Sequence, residues 1–215
     1  GAGAKATVAN RYGVTPLTLA AATGNAQVIE RLLKAGADAN TATPGGETAL
    51  MTAARTGSAA ALKALLAAGA SIDTREPRRG QTALMWASAA GNVDGMKVLI
   101  ESGADIKARS NEVDFKRVAG RGESGARVAA NQPPAIQFSP LAFAVRGGHL
   151  EAVKLLLGSG ADANEKLPDG VNMMILAIIN AHWELAAALL ERGADANTND
   201  PRGRPLHLVA FMRRA

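Results

Sequence analysis

Gly-Ala pairs recur at Gly36-Ala37, Gly69-Ala70, Gly103-Ala104, Gly160-Ala161 and Gly193-Ala194, at spacings of 33, 34, 57 and 33 residues. A second marker keeps the same frame: Thr15, Thr48, Thr82, Ser139 and Asn172 are separated by 33, 34, 57 and 33. The long interval is one period plus an insertion of 24 residues. A period in this range means stacked supersecondary units, none of which buries its apolar face alone. The fold must then be elongated, with a core shared between neighbours.

Each unit carries the same local code. Thr15-Pro16 offers a hydroxyl to cap a helix and a proline at the first turn, where no amide hydrogen is needed. Leu17, Leu19 and Ala20 are expected to face the core. Gly24 ends this short helix in the left-handed conformation that glycine tolerates. Val28, Ile29, Leu32 and Leu33 follow at helical spacing, and Gly36 closes the second helix. Aromatics make up 3% of the chain, so its core is built from Ala, Leu, Val, Ile and Met, side chains that suit closely packed helices.

The stretches Gly13-Val14-Thr15-Pro16-Leu17, Gly46-Glu47-Thr48-Ala49-Leu50 and Gly80-Gln81-Thr82-Ala83-Leu84, each followed by Ala, Gly, Leu-Leu and Gly-Ala, resemble the ankyrin repeat. The resemblance covers nearly the whole chain. It implies an all-α solenoid of stacked helix-turn-helix units with projecting β-hairpin or turn fingers. The repeats are expected at about 10–40, 41–73, 74–109, 139–164 and 165–197, with a partial one at 198–215 and residues 1–9 as the tail of a preceding repeat. The Ala-rich repeats are similar to bacterial ankyrin-repeat proteins, some of them exported, which leaves the compartment open.

Departures from the pattern are local. Repeat three has one extra residue in its turn near Arg78-Arg79, and Gly95 stands where its second helix would have a core valine. Residues 110–138, rich in Gly and Pro and without helical period, are expected to form a long loop or finger. In repeat five Asn172-Met173 replaces Thr-Pro, and Ala181 replaces the usual glycine.

Catalytic and metal chemistry find little support. The chain has no cysteine, which excludes disulfides and thiolate metal sites. His149, His182 and His207 fall where the repeat uses histidine to brace loops, and they lack a zinc-ligand pattern. Gly120-Arg121-Gly122-Glu123-Ser124-Gly125 has the letters of a dinucleotide fingerprint but neither the strand nor the helix that make it work. No catalytic residue, metal or cofactor is assigned. No apolar run approaches the ~18 residues of a membrane span. Trp86 aligns with Leu19 and reads as core; Trp183 is expected to be partly buried against a neighbouring repeat.

The resemblance places partner contacts at the turn tips and on the exposed face of the first helices. On this chain these are Tyr12, Val14, Thr23, Glu47, Arg55, Thr56, Arg78, Arg79, Gln81, Arg146, Asn180, Arg202 and Arg204, joined by Phe115 and Arg117 of the insertion. Six of the first thirteen are arginines and one is acidic, which suits an acidic protein partner. The expected function is a non-enzymatic protein-protein interaction scaffold. Two alternatives are polyanion binding through the arginines and a recognition module of a larger protein whose activity lies elsewhere. Nucleic acid fits less well, because stacking aromatics are few and acids interrupt the positive charge.

Overall fold

The computed structural model describes residues 6–111 and 137–198. Among them ten helices pair off in order: α1 (Pro16–Ala22) with α2 (Ala26–Lys34), α3 (Ala49–Thr56) with α4 (Ala59–Ala67), and α5 (Ala83–Ala90) with α6 (Val93–Glu101). Then come α7 (Pro140–Arg146) with α8 (Leu150–Gly158), and α9 (Met173–Ile179) with α10 (Trp183–Glu191). The odd-numbered helices pack in one row and the even-numbered in a second, each touching its partner and the helices one repeat away. The only strand-like pairings among the described residues are two isolated antiparallel bridges, Ala42 with Thr48 and Lys166 with Asn172, at the necks of turns. The fold is the all-α solenoid that the resemblance implies. No described helix is long and apolar enough to cross a membrane.

The repeated marker residue is the cap of each first helix. Thr15, Thr48, Thr82 and Ser139 accept through the hydroxyl, and Asn172 through Oδ1, from the amide three residues on, at 3.2, 3.2, 3.4, 3.1 and 2.8 Å. All five caps are buried, so water cannot replace them and each loss would cost about 1 kcal/mol or more. Asn172 thus performs the threonine's task in the repeat that departs from the pattern. The first helices end on Gly24, Gly57, Gly91, Gly148 and Ala181, all with φ between 60° and 78°. Ala181 is the one non-glycine with positive φ among the described residues.

Polar staples tie each unit to the one before. Ser58 Oγ donates to the Gly24 carbonyl at 2.9 Å, and Asn92 Nδ2 to those of Ala54 and Arg55 at 3.0 and 2.6 Å. His149 Nε2 lies 3.1 Å from the Ala89 carbonyl, and His182 Nε2 3.2 Å from that of Arg146. A carbonyl only accepts, so each imidazole donates there. Both histidines therefore brace loops; His207 lies outside the described residues. At the opposite end of the repeat, Asn40 bridges the Gly69 carbonyl and the Ser71 amide, and Asn164 does the same for Gly193 and Asp195.

Three packing expectations need correction. Leu19 is 57% exposed and Val28 40%, although both were expected in the core. The counterparts of Val28 in later repeats are covered by the unit before them, Ala61 and Ala152 fully and Leu185 nearly so, whereas those of Leu19 vary: Thr52 and Leu176 are buried, Trp86 and Phe143 half-buried. No described helix lies outside α1 and α2. Trp183 is exposed rather than partly buried, at 45%, against a shallow hollow beside Leu150 and His182. Gly95 is not an empty place for a valine: a Cβ there would stand 3.2 Å from Leu62 Cδ1, so the absent side chain makes room for that leucine.

Candidate functional site

A groove of about 510 Å³ opens where the second and third turns meet α3, α5 and α7. Its polar rim holds Glu47, Arg55, Arg78, Arg79 and Gln81; its apolar wall is Trp86, Ala89, Ala90 and Phe143. The wall residues lie on the outward side of the first helices, where Trp86 and Phe143 take the place of Leu19 two and three repeats earlier. Both aromatic rings are half-buried.

The third turn is organised by one carboxylate. Thr43 closes the previous turn, its hydroxyl accepting from the Glu47 amide at 3.2 Å. In repeat three the corresponding residue is Glu76, and its longer side chain spans a turn one residue longer. Oε2 accepts from the Arg78 amide at 2.7 Å; Oε1 accepts from the Arg79 and Gln81 amides at 2.7 and 3.2 Å. Glu76 is 5% exposed. Its charge is spent on main-chain donors, and the backbone carrying Arg78 and Arg79 is fixed at the groove's edge.

Two of the arginines, Arg55 and Arg146, are held by aromatic faces, not by acids. The Arg55 guanidinium carbon lies 5.0 Å from the centroid of Trp86, and that of Arg146 5.5 Å from Phe138. Phe138 stacks at a tilt on Phe143 with centroids 5.2 Å apart. Among the described residues, Arg55, Arg78, Arg79 and Arg146 have no carboxylate within ion-pair distance. The Trp86 indole nitrogen is buried and has no hydrogen-bond partner among them either. An unsatisfied donor of this kind costs about 1–3 kcal/mol.

Of the sequence-predicted contacts, the fold gathers Glu47, Arg55, Arg78, Arg79 and Gln81 into this groove. Tyr12 is 63% exposed under the Arg11 guanidinium, and Val14 is half-buried beside the first turn; neither lines the groove. Thr23, Thr56 and Asn180 spend their side chains on helix-end carbonyls: those of Ala20, of Ala21 and Ala53, and of Leu176. Arg146 stands exposed one repeat further along. Phe115, Arg117, Arg202 and Arg204 lie outside the described residues, as does the glycine-rich 120–125 stretch. Sequence reasoning missed the wall formed by Trp86 and Phe143. The signal available was a column reading Leu19, Thr52, Trp86, Phe143, Leu176, which turns aromatic in the middle units.

The insertion is anchored at the same rim. Its flanks pair through the Ser110 amide donating to the Phe138 carbonyl and the Phe138 amide donating to Ser110 Oγ, both at 2.9 Å. The Asn111 amide then donates to the Arg79 carbonyl at 2.7 Å. Behind this seam Arg109 pairs with Glu165 at 3.1 Å, and Ser139 Oγ donates to the other oxygen of Glu165 at 2.9 Å. Burial nonetheless pushes the Glu165 carboxyl above its ordinary range, outweighing the opposing pull of Ser139 and Arg109; Asp162 adds to the rise.

Comparison with known proteins agrees with the repeat fold. A family model described as ankyrin repeats (3 copies) matches residues 17–110 and 127–214. The solved ankyrin repeat domain of human ASB11 is similar, with a TM-score of 0.73 and 26% identity, over 92% of this chain and 77% of that one. No curated protein matches.

Proposed function

The chain belongs to the ankyrin-repeat family, whose repeats are protein-protein interaction modules, and from that premise we propose that it binds a protein partner in the groove between the second and third turns. The fold is typical of non-enzymatic modules. The observation that carries the reading is the rim itself: Arg55, Arg78 and Arg79 outnumber its one free acid, Glu47, and have no described carboxylate within ion-pair distance, while the nearby Glu76 is turned onto main-chain amides. Guanidinium forks of this kind match carboxylates, and charges on a rim steer association. The partner's contacting face is therefore acidic.

The test is a comparison of partner capture by the parent chain and by an Arg55→Ala/Arg78→Ala/Arg79→Ala variant, followed by titration of each captured protein against both. The reading requires a partner whose association slows in the variant and with rising salt. A partner bound equally by both forms would move the binding face elsewhere on the solenoid. Deleting residues 112–136 adds a second measurement: weaker binding assigns the insertion to the interface, and unchanged affinity removes it.

A further inference from the structure

The groove is more specific than a positive surface. Its rim presents guanidiniums, yet its wall is apolar, made by Ala89, Ala90, Trp86 and Phe143. A polyanion would use the first feature and leave the second unfilled. A hydrophobic peptide would bury the second and leave the rim idle. An adjacent pair of side chains, one carboxylate and one aliphatic, uses both.

We propose that this groove receives an acidic residue followed at once by an aliphatic one, presented by an extended segment of the partner protein; this rests on the protein-binding reading above. The carboxylate sits between Arg55 and Arg79, and the aliphatic group packs on Trp86 and Ala89. Arg55 is prepared for this role because stacking on Trp86 holds its guanidinium in place without neutralising it. Arg79 is prepared by Glu76, which fixes its backbone amide.

The experiment uses the full chain carrying Trp183→Phe, which leaves Trp86 as the one tryptophan of the sequence. The indole N–H resonance of Trp86 is followed by NMR while a blocked peptide, Gly-Ser-Gly-Asp-Leu-Gly-Ser-Gly, is added to millimolar concentration. Parallel titrations use the same frame with Asn-Leu or Asp-Ser in place of Asp-Leu, and a thymidine dodecanucleotide. The Asp-Leu peptide should shift the resonance, each altered peptide should bind about tenfold more weakly, and Arg55→Ala and Arg79→Ala should each abolish the shift. Arg55 and Arg79 are exposed, so both variants retain the fold.

No shift with Asp-Leu, equal binding of Asn-Leu or Asp-Ser, or a stronger shift from the oligonucleotide would each overturn the proposal. Those outcomes leave the protein-binding reading standing if a captured partner still depends on the rim arginines. Loss of that dependence with the peptide selectivity intact would instead remove the captured partner and keep the subsite.

Discussion

Truncating Glu76 to alanine tests whether one buried carboxylate organises the third turn. It accepts two main-chain hydrogen bonds of 2.7 Å and one of 3.2 Å. Hydrogen bonds to an ionised acceptor are worth about 1.5–3 kcal/mol each. The three do not add in full, because Arg78 and Arg79 are exposed and water can reach their amides after truncation. A loss of about 2–4 kcal/mol is expected for Glu76→Ala. Glu76→Gln keeps an acceptor for the Arg79 and Gln81 amides but turns an NH₂ towards the Arg78 N–H, and should lose about 1–2 kcal/mol. At about 2–4 °C per kcal/mol for a chain of this size, the alanine variant should melt on the order of 10 °C lower. Urea titrations read by circular dichroism and by Trp86 emission, in the Trp183→Phe background, separate loss of the adjoining repeat from loss of the whole array. A Glu76→Ala variant within about 0.5 kcal/mol of its parent would refute the assignment.

Three further expectations follow from backbone and burial. Ala181→Gly relieves a side chain held at φ 60°, where the four equivalent positions are glycine, and should stabilise the chain by about 0.5–1 kcal/mol in urea unfolding; a loss would contradict it. Gly80→Ala should destabilise by about 2 kcal/mol or more, because φ is +62° and a Cβ would collide with the Asn111 side chain and backbone nitrogen; unchanged hydrogen-exchange protection of the Asn111 amide would count against it. Glu165 should weaken the fold as it ionises: a carboxyl whose folded pKa is raised above 4.5 holds more protons folded than unfolded, so its stabilisation is full below pH 4.5 and declines as pH rises through the folded value. The stability difference between the parent and Glu165→Gln should accordingly fall as pH rises from 4.5 through the raised folded value, and a difference that grows with pH would reverse the argument.

What was legible from sequence was chemistry confined to a few neighbouring residues. A threonine three positions before the amide it caps is visible in one dimension, and so is a glycine where the chain must turn left-handed. Asn172 and Ala181 were identifiable as substitutes for the same reason. The histidine braces could be placed because the repeat assigns that position a standard task. The groove was harder to read. Arg55 and Trp86 belong to different repeats, and whether Trp86 joins the core or the wall depends on how far α5 leaves its column uncovered. Leu19 and Trp86 share a column yet differ in burial, which no single-repeat pattern predicts. The extra residue near Arg78 was visible; the use of Glu76 to close the enlarged turn was not, because it depends on three amides converging in space.

The seam between Ser110 and Phe138 has a practical meaning. Two hydrogen bonds bring residues 28 positions apart to a single gate, so the solenoid on either side meets an unbroken joint. Doubling a flexible loop costs only about 0.6 kcal/mol in closure entropy. The gate is therefore a port at which foreign segments of varied length can be grafted beside the groove, adding reach or new specificity without redesigning the stack that supports them.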